Sequence, residues 1–182
     1  SASEKCGGAA AMKAEGSLRA PLDILLACFP CFMAERGMSL PRHVDITCPK
    51  CNTTQEMTLW DSVNASEHPH LKEEILEQRL NVFFCSQCDY QGSVDNSVLY
   101  HDMDGKFCVQ YVAKEDMKSP DYYRHLTKQG TLIFDPLSTK LMGKSGGEYL
   151  ARPHHVFSMK EMLLYILFRQ FCEEYGRDVD VA

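Results

Sequence analysis

Four cysteines in two Cys-x-x-Cys pairs carry the clearest chemistry in this sequence. Cys48 and Cys51 form one pair, and Cys85 and Cys88 form the other. Two intervening residues allow a tight turn to present both sulfurs to one metal ion, with backbone N–H groups pointing at them. Two such pairs supply four thiolates and leave no vacant ligand position, which is the donor set of a structural zinc site. The sequence therefore predicts one structural Zn²⁺ ion bound by all four sulfurs.

The residue after each pair supports the same interpretation. The backbone there often adopts a left-handed conformation, which glycine takes most easily and which Asn and Asp tolerate better than most other residues. Asn52 and Asp89 occupy these two positions. The 33 residues between Cys51 and Cys85 exceed the usual linker of a zinc ribbon. A helix inserted between the two pairs would account for the excess.

A third pair, Cys28 and Cys31, leaves two alternatives open. Its spacing from Cys48 also fits a zinc template, and the pair is similar to the active pair of thioredoxin-like proteins. Against both, Pro30 stiffens the turn, the surrounding run is apolar, and no βαβ pattern accompanies it. A helix with small buried cysteines explains the pair more simply. A thiol-redox enzyme that uses Cys28 and Cys31 stays an alternative function.

The cysteine count and the charge restrict the class of protein. Nine cysteines, an odd number, fit metal ligation in a reducing compartment better than a secreted disulfide framework, so we expect a cytoplasmic protein. A net charge of -6, from 19 basic against 25 acidic residues, argues against a broadly basic nucleic-acid-binding protein. No stretch approaches the roughly 20 continuous apolar residues that span a bilayer, so we expect no membrane segment.

Another group of polar residues could move protons or bind a cation. His101, Asp102 and Asp104 lie close together, and Asp104 precedes a glycine. An Asp-Gly step favours a turn with positive φ angles, so we interpret the group as the turn of a hairpin. We assign no catalytic residue, although a hydrolase built on residues 101–104 is an alternative. The single tryptophan, Trp60, is expected to be buried beside the first cysteine pair.

Hydrophobic periodicity predicts the elements that position the cysteines. Alternating apolar residues on both sides of the first pair predict strand, tight turn, strand from Val44 onwards. Apolar residues at helical spacing predict an inserted helix over residues 67–80. Residues 94–101 and 106–112 are expected to form a hairpin.

The clearest single element is a C-terminal helix over residues 159–175. Ser158 and Glu161 form a capping box at its start, and Gly176 follows its end. Its apolar surface is too wide for a helix left in water, so it must pack on the sheet or on another chain. Self-association through this helix is therefore one expected mode of interaction.

The chain is expected to divide into three parts. Residues 1–43 form an N-terminal extension that is partly flexible and carries a short helix over 18–33. Residues 44–176 form the zinc-binding domain, and residues 177–182 form a C-terminal tail.

Four stretches make the match to a known family specific. They are Ile46–Cys51, Leu59–Asn64, Asn81–Tyr90 and Leu99–Asp102. The segment from about Val44 to Tyr111 resembles the CpXC domain family of bacteria and archaea, which is named for its two cysteine pairs. The resemblance implies that the metal ligands are Cys48, Cys51, Cys85 and Cys88. Ser86 stands where proline is expected, and Asn52 and Asp89 stand where glycine is common, but no ligand is lost. The family has no established activity, so the resemblance leaves the role open.

These observations predict an α+β fold in which a zinc-ribbon-like Cys₄ site is extended by an antiparallel sheet and covered by helices. The predicted function is a zinc-stabilised interaction module whose partner is a protein. A nucleic-acid-binding zinc ribbon is the less favoured alternative, because of the acidic charge.

Overall fold

The computed structural model describes residues 39–133 and 147–176. The predicted helix over 18–33, the Cys28/Cys31 pair and the C-terminal tail lie outside these residues. The strands are β1 (Leu40–Thr47), β2 (Thr54–Asn64), β3 (Val82–Phe84), β4 (Gln91–Ser93), β5 (Val98–Asp102), β6 (Phe107–Tyr111) and β7 (His154–Val156). The α-helices are α1 (Pro69–Leu76), α2 (Lys114–Lys118), α3 (Pro120–Arg124) and α4 (Met159–Glu174), and a 3₁₀ helix spans Glu148–Ala151.

Five strands form the main sheet in the order β1-β2-β5-β6-β7, while β3 and β4 form a separate two-stranded sheet. The predicted α+β class is confirmed. The main sheet is mixed, however, because β2 pairs with β5 in parallel and β6 pairs with β7 in parallel. The connection from β2 to β5 passes through α1 and the β3–β4 hairpin. A crossover of that length brings the chain back in the same direction, which a tight turn cannot do.

One face of the main sheet packs against α1 and α4. On α4 the buried side chains are Met162 and Ile166, two positions on the same face of the helix. We call the cluster that they join the sheet core. Its buried members are Val63, Ala65, Leu71, Ile75, Leu80, Val98, Tyr100, Phe107, Val109, Tyr111, Val156, Met162 and Ile166.

The inserted helix is shorter than the sequence predicts. It begins at Pro69, which needs no backbone N–H donor in the first turn, and it ends at Leu76. Gln78 and Asn81 then adopt left-handed backbone conformations, with φ angles of 58° and 57°. Two such residues cannot continue a right-handed helix, so the predicted end at residue 80 was too late.

Helix α4 agrees with the predicted 159–175 to within one residue. The hydroxyl of Ser158 accepts a hydrogen bond from the backbone N–H of Glu161 at 3.2 Å. The carboxylate of Glu161 accepts from the backbone N–H of Phe157 at 2.7 Å, one residue earlier than a standard capping box. Gly176 follows the helix with a φ of 65°, as predicted.

The predicted hairpin of β5 and β6 is confirmed, but its turn differs in detail. One carboxylate oxygen of Asp102 accepts hydrogen bonds from the backbone N–H groups of Asp104 and Gly105, at 3.1 and 2.9 Å. The residue with a positive φ is Lys106, at 48°, and not the glycine. An Asp side chain that bonds the following backbone sets such a turn without glycine's conformational freedom.

The main sheet begins slightly earlier than residue 44. Strand β1 starts at Leu40, and the hydroxyl of Ser39 accepts a hydrogen bond from the backbone N–H of Asn64 at 2.9 Å. Among the described helices, none is long and apolar enough to cross a membrane.

Candidate metal centre

The four predicted cysteine sulfurs meet at the tips of two hairpins. The β1–β2 loop carries Cys48 and Cys51, and the β3–β4 loop carries Cys85 and Cys88. All four sulfurs lie within 4.8 Å of one another. Across the two loops, the Sγ atoms of Cys48 and Cys88 are 3.7 Å apart, and those of Cys51 and Cys85 are 3.5 Å apart. A disulfide would require about 2.05 Å, so all four are free thiols.

These distances fit one metal ion with four sulfur ligands. A tetrahedral ion bound to sulfur at about 2.3 Å places its ligands about 3.8 Å from one another. The two distances across the loops are within a few tenths of an ångström of that value. Within the described parts of the chain, no other group of three or more His, Cys, Asp or Glu residues comes together in this way.

The first cysteine loop is closed by its own backbone. The N–H of Cys48 donates to the carbonyl of Thr53, and the N–H of Asn52 donates to the carbonyl of Cys48, both at 2.9 Å. Asn52 has a φ of 59°, as predicted for the position after the second cysteine. Asparagine tolerates this region, so the loop closes without glycine.

The second loop is closed by an equivalent backbone hydrogen bond, but the prediction of a left-handed Asp89 was wrong. Asp89 is absent from the described residues that have a positive φ. Here the N–H of Cys85 donates to the carbonyl of Tyr90 at 2.9 Å, and the N–H of Gln87 donates to the sulfur of Cys85 at 3.4 Å. The hydroxyl of Tyr90 lies 2.7 Å from where a Cβ on Gly92 would be. Any larger residue at position 92 would therefore displace this ring and reshape the loop.

A glutamine that the sequence analysis missed joins the two loops. The side chain of Gln55, on β2, donates to the carbonyl of Phe84 at 2.8 Å. Its carbonyl oxygen accepts from the backbone N–H of Ser86, also at 2.8 Å. One amide side chain thus pairs with the backbone on both sides of Cys85, as a neighbouring strand would. Nothing in the local pattern marks Gln55, because its partners are about thirty residues away.

The two loops give their second cysteines opposite acidities. Hydrogen bonds from the side chain and backbone of Thr53 lower the pKa of Cys51 to about 6. Burial raises the pKa of Cys88 to about 12. A metal ion binds thiolates, so binding at neutral pH releases the proton that Cys88 carries.

The four-cysteine cluster is buried on the side that faces the protein interior and is exposed to solvent at one edge. Cys48 is fully buried, whereas Cys51 is exposed. A small apolar cluster surrounds the inner side, and together with the two cysteine loops we call it the knuckle end. Its buried members are Val44, Ile46, Cys48, Leu59, Phe83 and Val94.

Residues 101–104, the other candidate group within the described residues, lie at the end of β5 and in the turn that follows it. His101 is completely buried, and its Nδ1 lies 3.4 Å from the hydroxyl of Tyr149. The Asp102 carboxylate serves the turn and contacts the Lys72 ammonium at 3.5 Å. These contacts agree with the turn interpretation of residues 101–104. Trp60 packs against the sheet core and not beside the cysteines, which corrects its expected location.

Comparison with known proteins identifies a family for this chain. A family model described as CpXC protein matches residues 46–170, which include all four clustered cysteines. No match was found among curated proteins or among solved structures. The match covers more than half of the chain and agrees with the resemblance seen in the sequence. The chain therefore belongs to the CpXC family.

Proposed function

We propose that this protein is a zinc-stabilised interaction module, in which one Zn²⁺ ion has a structural role and the folded domain binds a protein partner. The observation that carries the proposal is the convergence of four sulfurs from two separate hairpins. Zinc is the metal that most often takes four cysteine ligands in tetrahedral geometry.

A structural role follows from the ligand set. Four protein ligands fill a tetrahedral zinc site and leave no position for water or substrate, unlike a catalytic zinc site. Zinc binding contributes about 10–16 kcal/mol in small peptides, which equals or exceeds the roughly 5–15 kcal/mol stability of a typical domain. Because the apolar cluster at the knuckle end is small, the metal would be the main interaction that joins the two hairpins.

Charge and surface composition favour a protein partner over nucleic acid. The chain has a net charge of -6, and four thiolates on Zn²⁺ add up to a local charge of -2, so the metal does not offset the acidity. Several large apolar side chains on α4 are exposed, including Phe168 and Phe171. Exposed apolar groups in one region are typical of protein-binding surfaces.

The first test is the metal itself. Wild-type protein should purify with about one zinc ion per chain and unfold cooperatively. Cys88→Ser should lose the zinc and that transition, because three ligands and a hydroxyl bind zinc far more weakly. Cys172→Ser is the matched control, since Cys172 lies on α4 outside the cluster. Unchanged zinc content and melting in Cys88→Ser would overturn the structural metal site.

Two further assays separate the interaction role from its alternatives. Zinc-loaded protein should show no retention on DNA or RNA at low salt, and salt-sensitive binding would favour the nucleic-acid alternative. A thiol reagent should find no unusually reactive cysteine at positions 28 or 31. Rapid labelling there would favour a thiol-redox enzyme.

A further inference from the structure

Helix α4 carries a row of large apolar side chains that the described part of the chain leaves in solvent. Leu164, Phe168, Phe171 and Tyr175 are 54%, 50%, 55% and 72% exposed. Their spacing of four, three and four residues places them on one face of the helix. We call this row the α4 stripe.

The α4 stripe lies opposite the buried face of the same helix. Met162 and Ile166 are fully buried in the sheet core. Leu164 and Phe168 follow them by two positions each, which is about 200° around an α-helix. The helix is therefore apolar on two opposite faces, and the sheet covers one of them. An apolar face of a helix is normally buried against another element, so the second face requires a partner.

The spacing of the stripe is suited to a second copy of the same helix. The steps of four, three and four residues are the same whether they are counted from the start or from the end of the stripe. A copy related by a two-fold axis perpendicular to the helix runs antiparallel and sets Phe168 against the partner's Phe171, and Leu164 against the partner's Tyr175. Isologous pairing requires a self-complementary patch of this kind.

The exposed area is close to what a specific dimer requires. Four large side chains that are half or more exposed offer roughly 500 Å² per chain. Two copies would bury roughly 1,000 Å², which is the lower limit for a specific interface. Such an interface is expected to be weak and concentration-dependent.

The charges beside the stripe favour the antiparallel arrangement. Lys160 at the start of α4 and Glu174 at its end are exposed and lie on the same flank of the stripe. The last turn of α4 contains no basic residue, although its carbonyl end attracts positive charge. An antiparallel copy brings the positive end of one helix, with Lys160, towards the acidic end of the other. A parallel copy would place like charges together.

We propose that two copies of this protein associate through the α4 stripe as an antiparallel, two-fold symmetric pair. This inference rests on the proposed function, because it names the protein partner as a second copy. It concerns a surface on the sheet side of the domain, whereas the metal centre lies at the knuckle end.

Sedimentation equilibrium of zinc-loaded, full-length protein tests the pairing. The mass should rise from one chain towards two across a micromolar-to-millimolar series. The double variant Phe168→Ser/Phe171→Ser should weaken association about 30-fold or more, as the loss of central aromatic contacts does. Tyr123→Ser is the control, because Tyr123 is 55% exposed but lies on α3. One-chain mass at every concentration, or equal weakening by the control, would overturn the pairing.

Charge reversal tests the orientation. Lys160→Glu and Glu174→Lys should each weaken association several-fold, and the combined variant should recover it. Failure of the combined variant to recover would overturn the antiparallel arrangement. Zinc content is measured in the same samples. A monomer that retains one zinc ion refutes the pairing alone, whereas a protein without zinc refutes the structural metal site.

Discussion

At one end of β2, Cys48 and five other buried residues form the cluster beside the candidate metal site, whereas thirteen pack between the sheet and the helices at the other end, counting described residues in each case. The knuckle end is therefore built from two loops, one small apolar cluster and four sulfurs. The sheet core is built from a mixed sheet and a sixteen-residue helix. Both belong to one chain and share one strand.

In the proposed function, a metal ion does at the knuckle end what apolar burial does in the sheet core. A cluster of six residues removes too little surface from water to offset the ordering of two hairpins. Four metal–sulfur bonds would compensate, because their energy does not depend on cluster size. The sheet core buries thirteen residues and therefore depends less directly on the metal. A substitution at one end should therefore change stability and zinc binding differently from a substitution at the other end. The following predictions test this difference.

Among the three changes considered next, the largest effect is expected from a cavity in the sheet core. Ile166→Ala should lower the free energy of unfolding by about 2–5 kcal/mol, because Ile166 is fully buried. Zinc content should stay at the wild-type level in the native protein. Denaturant unfolding and metal analysis measure the two quantities. Ile133→Ala is the matched control, since Ile133 is about half exposed. Parallel loss of zinc in Ile166→Ala would show that the two ends are not independent.

Acid should destabilise the sheet side through the buried His101. Burial lowers the pKa of His101 to about 4, whereas a histidine in the unfolded chain titrates near 6.5. Between these values the unfolded chain binds more protons than the folded one, so stability falls as the pH falls. The loss should reach about 2 kcal/mol between pH 7 and pH 5, and about 3 kcal/mol in full below pH 4.

A non-titrating variant isolates this contribution from acid release of the metal. His101→Gln retains the cysteine cluster, so acid releases the metal from this variant as it does from wild type. The difference in unfolding free energy between wild type and variant should therefore narrow, or change sign, as the pH is lowered. A difference that stays constant from pH 7 to pH 5 would contradict the assignment to His101.

The smallest effect is expected at the amide that joins the two cysteine loops. Gln55→Ala removes two hydrogen bonds and should cost about 1–2 kcal/mol of stability. Zinc affinity should fall about 10-fold, because the second loop is no longer fixed against the first. Competition with a chromophoric chelator measures the affinity. Gln87→Ala is the control, because only the backbone of Gln87 contacts a ligand sulfur. Equal zinc affinities in Gln55→Ala and Gln87→Ala would show that Gln55 does not support the metal site.

Local features of the metal site were predictable because short-range geometry determines them. The two cysteine pairs, the left-handed Asn52 and the strands beside the first pair all follow from residues a few positions apart. The assumption that the second loop repeats the first was wrong at Asp89. That loop is closed by the hydrogen bond from the N–H of Cys85 to the carbonyl of Tyr90, without a left-handed residue.

Long-range features could not be predicted from one sequence. The amide of Asn81 pairs with both the N–H and the carbonyl of Trp60, at 2.8 and 3.0 Å, as a neighbouring strand would. Gln55 does the same for the second cysteine loop. The parallel pairing of β2 with β5 also depends on how the crossover returns. In each case the partner lies tens of residues away, and amide side chains carry no periodic signal.

The length of β2 sets a limit on which peptides can contact both of its ends. Eleven residues of strand extend roughly 36 Å. An extended peptide therefore needs about eleven residues to reach from the cysteine tip to the sheet core, and a shorter one contacts only one end.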